Sequence, residues 1–379
     1  MRGTRAIIHL DHLTWNIGVV RKIAGSERLI CLPVKADAYG HGAVWVAKTA
    51  LKAGVRYLAV ATVHEGKLLR DGGIDAPILL LSIPLPEEIP DVVANGLIPL
   101  VTDQEFAAAL ANAAKAAGRQ VQVHLKIDTG MGRVGVSPDK AVEAASFIKS
   151  RDFLVYAGTA THLAVSESTA VEDISFTKQQ ILRFKETVDS IKKAGIDPGI
   201  VHSANSGAVI LHQDSWFDMI RPGIMIYGYA PVALEAGPLT GNGKEADLRL
   251  KPVMELSSRV VFIKKVKKGE SISYGRKWTA LVDSWIATIP IGYGDGLPRA
   301  LGGYLSIKIR DNFYPLVGRI CMDQCMINLG PETDIKRWDE VTIFGGKSFT
   351  AADLAEELGT IPYEITCNIN KRVPRVYIK

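Results

Sequence analysis

The sequence predicts an α/β fold: an N-terminal eight-stranded (β/α)8 barrel of the TIM type, followed by a mostly antiparallel, β-rich C-terminal domain. Short apolar runs alternate with amphipathic helical patterns through the first two thirds of the 379 residues, which indicates parallel strands joined by crossover helices. Eight such runs within about 220 residues suit a closed barrel better than an open sheet. Beyond Pro252 the pattern changes to β-rich runs, which predicts the second domain.

The barrel strands are predicted from apolar runs that end at turn residues. They fall at 29–34, 57–61, 77–82, 97–101, 121–127, 155–160, 199–203 and 218–220. Amphipathic patterns predict helices at 43–53, 103–117, 138–149 and 175–194, and an extra helix at 11–24 precedes the first strand. This order supplies the helix that each parallel crossover needs.

The C-terminal domain is predicted from six β-rich runs and one helix. The runs are 254–265, 284–291, 305–309, 315–319, 325–329 and 340–344. The helix covers 351–358, with Thr350 as its N-cap, and a glycine-rich segment at 236–244 reads as a long loop before the domain. The predicted divisions are an N-terminal segment 1–10 that joins the second domain as a strand, a barrel at 11–240 and the β-rich domain at 241–379.

Composition excludes several classes of protein. The chain is 47% hydrophobic and 22% charged, and its formal net charge of +5 comes from scattered basic residues, so no nucleic-acid partner is predicted. The N-terminus lacks a signal-peptide core, and no apolar run approaches the roughly 20 residues of a membrane span. The four cysteines are dispersed, and Cys321 and Cys325 lack companions for zinc, so we expect reduced thiols, no metal site and a cytoplasmic location.

Lys35 is the first candidate for chemistry. It ends the apolar run 29–34 and precedes a turn that carries Tyr39 and two glycines. Barrels place their chemistry at the carboxyl ends of strands. A partly desolvated lysine amine there can form a Schiff base with an aldehyde.

Four further segments follow predicted strands. The segment 124–135 contains G-x-G-x-x-G, but its glycines do not open a helix, so we reject a dinucleotide site and expect Arg133 to face an anion. His162 closes a strand, a position that also suits a structural histidine. His202, Asn205 and Ser206 belong to a segment with small donors at a helix start, and Arg221 with Gly223 follows the last strand.

The last two segments follow the seventh and eighth strands, where barrels commonly bind phosphate. A phosphate cradle beside a strand-end lysine suggests pyridoxal phosphate. A phosphorylated sugar bound by an aldolase that uses a lysine Schiff base fits the same residues. The residues by themselves leave both interpretations open.

In order along the chain, these segments resemble the alanine racemase family from end to end. The shared motifs are V-K-A-D-A-Y-G-H-G, K-I-D-T-G-M-G-R-x-G, H-S-A-N-S, R-P-G-I, S-Y-G, G-Y-G-D-G, G-R-I-C-M-D-Q and Y-E-I-T. Pyridoxal-phosphate decarboxylases share the architecture but not this set. Carrier proteins of the same cofactor resemble only the barrel.

The resemblance implies a homodimer with shared active sites. Lys35 would hold pyridoxal 5'-phosphate and act as base on one face of the substrate Cα, while Tyr274 of the partner subunit acts on the other face. His162 would orient that tyrosine, and Arg221, backed by His202, would contact the pyridine nitrogen. The cofactor-binding set is Lys35, Tyr39, His162, Asn205, Ser206, Arg221, Gly223, Ile224 and Tyr363, of which Tyr39, Ser206, Gly223, Ile224 and Tyr363 hold the phosphate.

The substrate side is implied in the same way. Arg133 and the backbone of Met322 would bind the substrate carboxylate, and Lys126, often carbamylated in this family, would brace Arg133. The supporting residues are Lys126, His202, Tyr293, Arg299, Cys321 and Asp323, with Arg319, Tyr293, Arg299 and Asp323 at the entrance. Relatives that accept serine commonly carry asparagine at the position of Tyr363, so the resemblance favours alanine, with a broader small-amino-acid racemase as the alternative and D-alanine for peptidoglycan as the expected product.

Overall fold

The computed structural model describes residues 3–231, 249–346 and 348–379. The chain forms two compact units. One contains Leu13–Ala38 and Ala43–Lys251, and the other contains Met1–His12, Tyr39–Gly42 and Pro252–Lys379. The predicted loop at 236–244 and the predicted division between residues 240 and 241 lie outside the described residues.

A closed barrel of eight parallel strands forms the first unit, as the sequence predicts. Strand β1 (Arg5–His9) and helix α1 (Leu10–Ala24) precede it. The barrel strands are β2 (Leu29–Pro33), β3 (Tyr57–Val60), β4 (Ile78–Leu80), β5 (Ile98–Val101), β6 (Val121–Lys126), β7 (Leu154–Ala160), β8 (Ile200–His202) and β9 (Met219–Ile220). They pair in sequence order, and β9 returns to β2 through Leu29–Met219 and Ile30–Ile220.

The segments that connect these strands are α2 (Lys35–Tyr39), α3 (Ala43–Lys52), α4 (Val63–Asp71), α5 (Ile89–Ala94), α6 (Gln104–Ala116), α7 (Ala141–Lys149), α8 (Val171–Lys193) and α9 (Ser206–Leu211). Helices α3, α6, α7 and α8 lie close to the predicted positions, α4 and α5 are additional to the predicted helices, and α2 is a short turn of left-handed backbone. Helix α6 illustrates why a helix begins at a given residue: the Asp103 carboxylate accepts the Phe106 N–H at 2.7 Å and so caps the helix. Phe106 and Leu110 lie four residues apart and are both buried.

The barrel interior is filled by side chains. One buried cluster takes a residue from each of five strands: Cys31, Ala59, Leu79, Ile98 and Met219. These side chains are at most 4% exposed, so the barrel is a packed core rather than a pore. The strand ends, where packing stops, are therefore the places where polar groups can gather.

The second unit is built on a mostly antiparallel sheet. Its strands are β10 (Met254–Arg259), β11 (Phe262–Val266), β12 (Ser271–Ile272), β13 (Trp278–Thr279), β14 (Ser284–Ile289), β15 (Ser306–Ile309), β16 (Asn312–Val317), β17 (Cys325–Gly330), β18 (Glu340–Phe344) and β19 (Arg375–Ile378). The sheet order is β11-β14-β17-β16-β15-β18-β10-β1-β19. Strand β1 pairs antiparallel with β10 and parallel with β19.

The structure corrects three details of the second domain. The run 254–265 is two strands, because β10 pairs with β1 and β18 whereas β11 pairs with β14. The run 315–319 begins earlier, at Asn312, because β16 forms a tight hairpin with β15. Helix α10 (Ala351–Glu357) carries the predicted Thr350 cap, but a second helix, α11 (Pro362–Cys367), was not predicted.

Within the described ranges, every helix is too short or too polar to cross a lipid bilayer.

Candidate active site

Five strand ends bring the predicted barrel residues to one end of the first unit. Lys35 follows β2, Lys126 ends β6, His162 lies just after β7, His202 ends β8, and Arg221 follows β9. Parallel strands of a barrel present their carboxyl ends on the same face. The charge of Lys35 is close enough to help lower the pKa of His162, which joins the first strand end to the others.

The backbone after Lys35 is left-handed. Ala36, Asp37, Ala38 and Tyr39 all have φ between 51° and 55°. This conformation costs roughly 1–2 kcal/mol per residue for L-amino acids, so other contacts must stabilise it. The Glu65 carboxylate accepts the Ala36 N–H at 2.6 Å, and the Asp37 carboxylate accepts the Ala43 N–H at 2.8 Å. The turn that presents Lys35 is thus held by side chains of the same unit.

Arg221 is the buried centre of this end of the barrel. Its Nη1 lies 2.6 Å from His202 Nδ1, and its Nη2 donates to the Thr161 carbonyl at 2.9 Å and to the Ser203 carbonyl at 3.0 Å. Nη2 also lies 3.2 Å from His162 Nδ1. These recorded acceptors are all uncharged. Burial lowers the pKa of Arg221 to about 10, which keeps the guanidinium charged at neutral pH.

The histidines around Arg221 are neutral. Burial, followed by the charge of Arg221, holds the pKa of both His162 and His202 well below its usual value. A neutral imidazole has one acceptor nitrogen, and here that nitrogen faces the guanidinium. The site therefore surrounds one positive charge with neutral acceptors.

Lys126 has an unusual environment at the end of β6. It is 5% exposed, and its Nζ has no hydrogen-bond partner among the described residues. Burial and then the charge of Arg221 lower its pKa to about 7; Arg133 acts in the same direction, while Asp128 opposes both. Arg133 is exposed on the loop that follows β6. That loop returns to β6 through the bridge between Ile127 and Val136 and opens no helix, consistent with rejection of a dinucleotide site.

The groups predicted to donate hydrogen bonds to a phosphate lie in the segments that follow β8 and β9. Asn205 caps α9 by accepting the Ala208 N–H at 3.1 Å. Ser206 Oγ accepts the Gly223 N–H at 2.9 Å, and the neighbouring Ile224 is fully buried. The Ser206 hydroxyl and the Gly223 backbone amide are thus within hydrogen-bond distance of each other.

Tyr39 and Tyr363 belong to the second unit, where their ring centroids lie 5.4 Å apart. Tyr363 is on the unpredicted helix α11. Burial raises the pKa of Tyr39, and Tyr363 and Cys367 add to the effect, so Tyr39 is a neutral hydroxyl. The structure thereby brings together the two tyrosines that the resemblance assigns to phosphate.

Tyr274 lies in a strained turn of the second unit. Ser273, Gly275 and Arg276 have φ of 66°, 70° and 50°. The Ser273 hydroxyl donates to the Arg319 carbonyl at 2.7 Å, which fixes the turn to the segment before Cys321. The Tyr274 side chain is 70% exposed, so its phenol is presented to the surroundings rather than packed in a core.

The other predicted residues of the second unit cluster near this turn. The Tyr293 N–H donates to the Cys321 carbonyl at 3.1 Å, and the Ser273 hydroxyl lies 3.6 Å from Cys321 Sγ. Arg372 donates to Asp323 at 2.8 Å and to the Met322 carbonyl at 3.4 Å. Arg299 and Arg319 line one cleft of the same unit.

Sequence reasoning missed three residues that order these groups. Glu65 supports the Lys35 turn, and its position in the capping box T-x-x-E was a readable signal. His124 touches His202, and Arg372 links Asp295 to Asp323. Nothing local in the sequence marks the last two, because their partners are far away along the chain.

One cluster outside the barrel carries metal-ligating side chains. Ligand atoms of His9, Asp11 and His12 lie within 4.8 Å of one another. His12 Nδ1 is hydrogen-bonded to the Pro252 carbonyl at 2.7 Å, and His9 lies 3.6 Å from the Glu255 carboxylate. His12 Nδ1 and His9 Nε2 therefore each have a polar neighbour within the protein.

A strand-end lysine, a buried arginine and clustered anion donors on a (β/α)8 barrel, together with a β-rich second unit, define a class of barrel enzymes that act on small anionic molecules. Family models for the N-terminal and C-terminal domains of alanine racemase match residues 8–231 and 253–377. The chain belongs to the alanine racemase family, and it is an enzyme of the amino-acid racemase class.

Individual alanine racemases are similar to this protein over its whole length. The alanine racemase of Treponema denticola is 52% identical over 100% of this chain and 99% of its own length, and that of Treponema pallidum is 41% identical over 100% of both. The solved alanine racemase of Clostridium difficile has a TM-score of 0.91 at 38% identity, covering 100% of this chain and 96% of that one. A Bacillus anthracis alanine racemase with bound L-Ala-P has a TM-score of 0.90 at 34% identity, covering 100% and 96%.

Proposed function

We propose that this protein interconverts L-alanine and D-alanine with pyridoxal 5'-phosphate as cofactor, using Lys35 and Tyr274 of the partner subunit as two opposed bases. The observation that carries the proposal is the convergence of Lys35, Lys126, His162 and Arg221 on one end of the barrel. The names and full-length similarity of the relatives support the same reaction. The D-alanine formed would supply peptidoglycan synthesis in the cytoplasm.

The residues present fit this cofactor. Arg221 is a buried cation whose recorded acceptors are uncharged, so a ring nitrogen with a lone pair suits its donors. Ser206 and the amide of Gly223 supply groups for a phosphate, with Tyr39 and Tyr363, Asn205 and Ile224 as the remaining cofactor-binding residues. When bound, pyridoxal phosphate supplies an aldehyde for amine condensation and a conjugated ring that stabilises negative charge at the substrate Cα.

Each residue then has a defined task. Lys35 Nζ holds the cofactor and takes or returns a proton on one face of Cα, and Tyr274 Oη does the reverse on the other face. Two bases that alternate as acid and base satisfy microscopic reversibility. Arg221 cannot readily give up a proton, so a pyridine nitrogen held against it would stay unprotonated. We infer that this limits side reactions such as transamination.

The substrate is held by its carboxylate. Arg133 offers a planar set of donors for that group, and the Met322 backbone of the partner subunit completes it. Tyr293, Arg299, Arg319 and Asp323 form the entrance, Cys321 supports the Tyr274 turn, and His202 supports Arg221. The exposure of Tyr274 (70%) and Met322 (53%) in the single chain supports their use by a second subunit.

The first experiment measures the reaction itself. Purified protein with pyridoxal phosphate is incubated with L-alanine, L-serine and a panel of other L-amino acids, and the D-enantiomers are quantified. We expect D-alanine to form with a kcat/KM at least about tenfold above that for serine, since Tyr363 keeps the alanine-type residue. Faster serine turnover would favour the broader racemase, and no D-amino acid at all would refute the proposal. Growth of a D-alanine-requiring bacterium that expresses the protein tests the peptidoglycan role.

The second experiment tests whether the site is shared between subunits. Lys35→Ala and Tyr274→Phe variants should each be inactive, with Tyr274→Phe still binding cofactor. When the two are unfolded together and refolded in equal amounts, half of the dimers are mixed and each has one intact site, so about a quarter of wild-type activity should return. Activity that stays absent, while wild-type protein treated alike recovers, would show that both bases come from one chain.

A further inference from the structure

A chain of side-chain contacts runs from Arg221 through His202 to a residue that the proposed mechanism does not use. His202 Nε2 lies 2.8 Å from His124 Nδ1, and His202 Nδ1 lies 2.6 Å from Arg221 Nη1. Both histidines are 0% exposed. We infer that His124 is a positioning residue: by accepting the Nε2 proton of His202 it stabilises the tautomer that Arg221 selects, fixes the ring orientation of His202 and thereby holds Arg221 in one direction, an inference that rests on the proposed function for its catalytic meaning.

The direction of every hydrogen bond in this chain follows from chemistry. A guanidinium has donors and no acceptor, so His202 Nδ1 must accept from Arg221. In a neutral ring the proton then lies on Nε2, which donates to His124. His124 Nδ1 must accept, which leaves the proton of His124 on its own Nε2.

The neutral state on which this assignment depends agrees with the surroundings. Burial, followed by the charge of Arg221, lowers the pKa of His124 to about 3. Burial and then Arg221 also hold the pKa of His202 well below its usual value, with His124 and Lys126 acting in the same direction. Each ring therefore carries a single proton at neutral pH, and only one arrangement of those protons avoids two donors facing each other.

The unpaired Nε2 of His124, at the end of this series of hydrogen bonds, is energetically unfavourable, which argues against a simple packing role. His124 Nε2 is buried and has no hydrogen-bond partner among the described residues. A buried donor left without a partner is unfavourable, and an apolar side chain would avoid that cost. The fold also makes room for the ring, because a Cβ at residue 158, which is Gly158, would lie 2.6 Å from His124 Nδ1.

This unfavourable term is offset because the series of hydrogen bonds holds the Arg221 guanidinium in one orientation. Its shortest recorded hydrogen bond is the one to His202 Nδ1. Donation from His202 Nε2 to His124 polarises the ring and strengthens Nδ1 as an acceptor. The guanidinium that is proposed to contact the cofactor ring nitrogen is then held in one orientation.

Two substitutions separate hydrogen bonding from packing. His124→Asn retains an oxygen near the position of Nδ1, which can accept from His202, but it leaves a smaller side chain. His124→Phe retains the ring volume and offers no acceptor. The proposal expects the asparagine variant to work better than the phenylalanine variant, whereas a packing role expects the opposite order.

The first readout is independent of activity. Imidazole-15N spectra of the wild-type holoenzyme, assigned with a His202→Asn variant, should show His202 with its proton on Nε2. His124→Asn should keep that signal, and His124→Phe should shift or split it. A wild-type His202 protonated on Nδ1 would overturn the inference even where neither variant folds.

The second readout is kinetic. His124→Phe should lower kcat about tenfold with KM little changed, while His124→Asn should stay within about threefold of wild type, as expected for loss or retention of one buried partner. Phenylalanine at wild-type rate with an unchanged His202 signal would also overturn the inference. A wild-type protein with the expected spectrum but no racemisation would refute the proposed function and leave the tautomer assignment intact.

Discussion

At the scale of single residues, the site depends on charges that burial alters. Arg221 keeps its charge because several neutral acceptors replace water around it. His162 and His202 stay neutral for the complementary reason, since a second buried cation beside Arg221 would be strongly unfavourable. Protonation states at this end of the barrel are therefore set by contacts between strand ends.

Lys126 leads to a prediction of covalent modification. Because its pKa is lowered to about 7, a large fraction of its amine is neutral near pH 7 and can add to carbon dioxide, forming a carbamate and releasing a proton. The new negative charge would lie near Arg133 and Arg221, whose charges disfavour the protonated amine. Protein equilibrated with 13C-bicarbonate should show a carbamate carbon signal that weakens as the pH is lowered below about 7.

The control for this signal is Lys126→Ala, which should lack it. We also expect this variant to bind substrate more weakly, seen as a raised KM, because Arg133 loses its brace. A 13C signal of the same size in both proteins would assign the carbamate to another amine and remove this role for Lys126.

At the scale of elements, the left-handed turn after β2 depends on the cap of helix α4. Thr62 and Glu65 form a capping box, in which Thr62 Oγ1 accepts the Glu65 N–H at 3.2 Å. Glu65 also accepts the Ala36 N–H at 2.6 Å and the Ala61 N–H at 2.8 Å. One carboxylate thus connects the start of a helix to the backbone that presents Lys35.

This double use of Glu65 predicts that two cap variants differ in function. Thr62→Ala removes only the helix cap and should cost about 1 kcal/mol of unfolding free energy with cofactor affinity unchanged. Glu65→Ala also releases the Lys35 turn and should cost about 2–4 kcal/mol, with weaker cofactor binding. Urea unfolding and titration with pyridoxal phosphate measure both effects. Equal cofactor affinity in the two variants would show that the turn does not need Glu65.

At the scale of the whole molecule, the buried neutral histidines predict acid sensitivity. In the folded state the pKa values of His124, His162 and His202 lie below the ordinary value of 6.5. As pH falls below about 6.5, the unfolded chain binds protons that the folded chain excludes, so the free energy of unfolding decreases by up to about 1.4 kcal/mol per pH unit for each histidine. Above that pH this loss is absent.

Urea unfolding between about pH 7.5 and pH 4.5 measures this slope. His124→Asn is the matched variant, because it removes one of the three groups. It should reduce the slope by the equivalent of one proton between about pH 6.5 and pH 4.5, where wild-type His124 is neutral only in the folded state. Parallel curves for the two proteins would mean that His124 is protonated in the folded state as well.

The second unit shows why some elements could not be predicted. No glycine, proline, asparagine or aspartate interrupts the β-rich run from 254 to 265, yet the chain changes strand partners within it, since β10 and β11 belong to different parts of the sheet. Helix α11 has only six residues, too few for a helical period to be evident. Barrel strands were easier to locate, because most of their residues are buried and turn residues bound each strand.

By itself the sequence determined the barrel, the β-rich second domain and the strand-end positions of Lys35, His162 and Arg221, because apolar periodicity and turn residues act over a few neighbouring positions. Only the tertiary structure decided that Lys126 is buried beside two arginines, that Glu65 supports the Lys35 turn and that His124 stands behind His202. Desolvation and hydrogen-bond direction depend on groups brought together from distant parts of the chain, and no local pattern records which groups those will be.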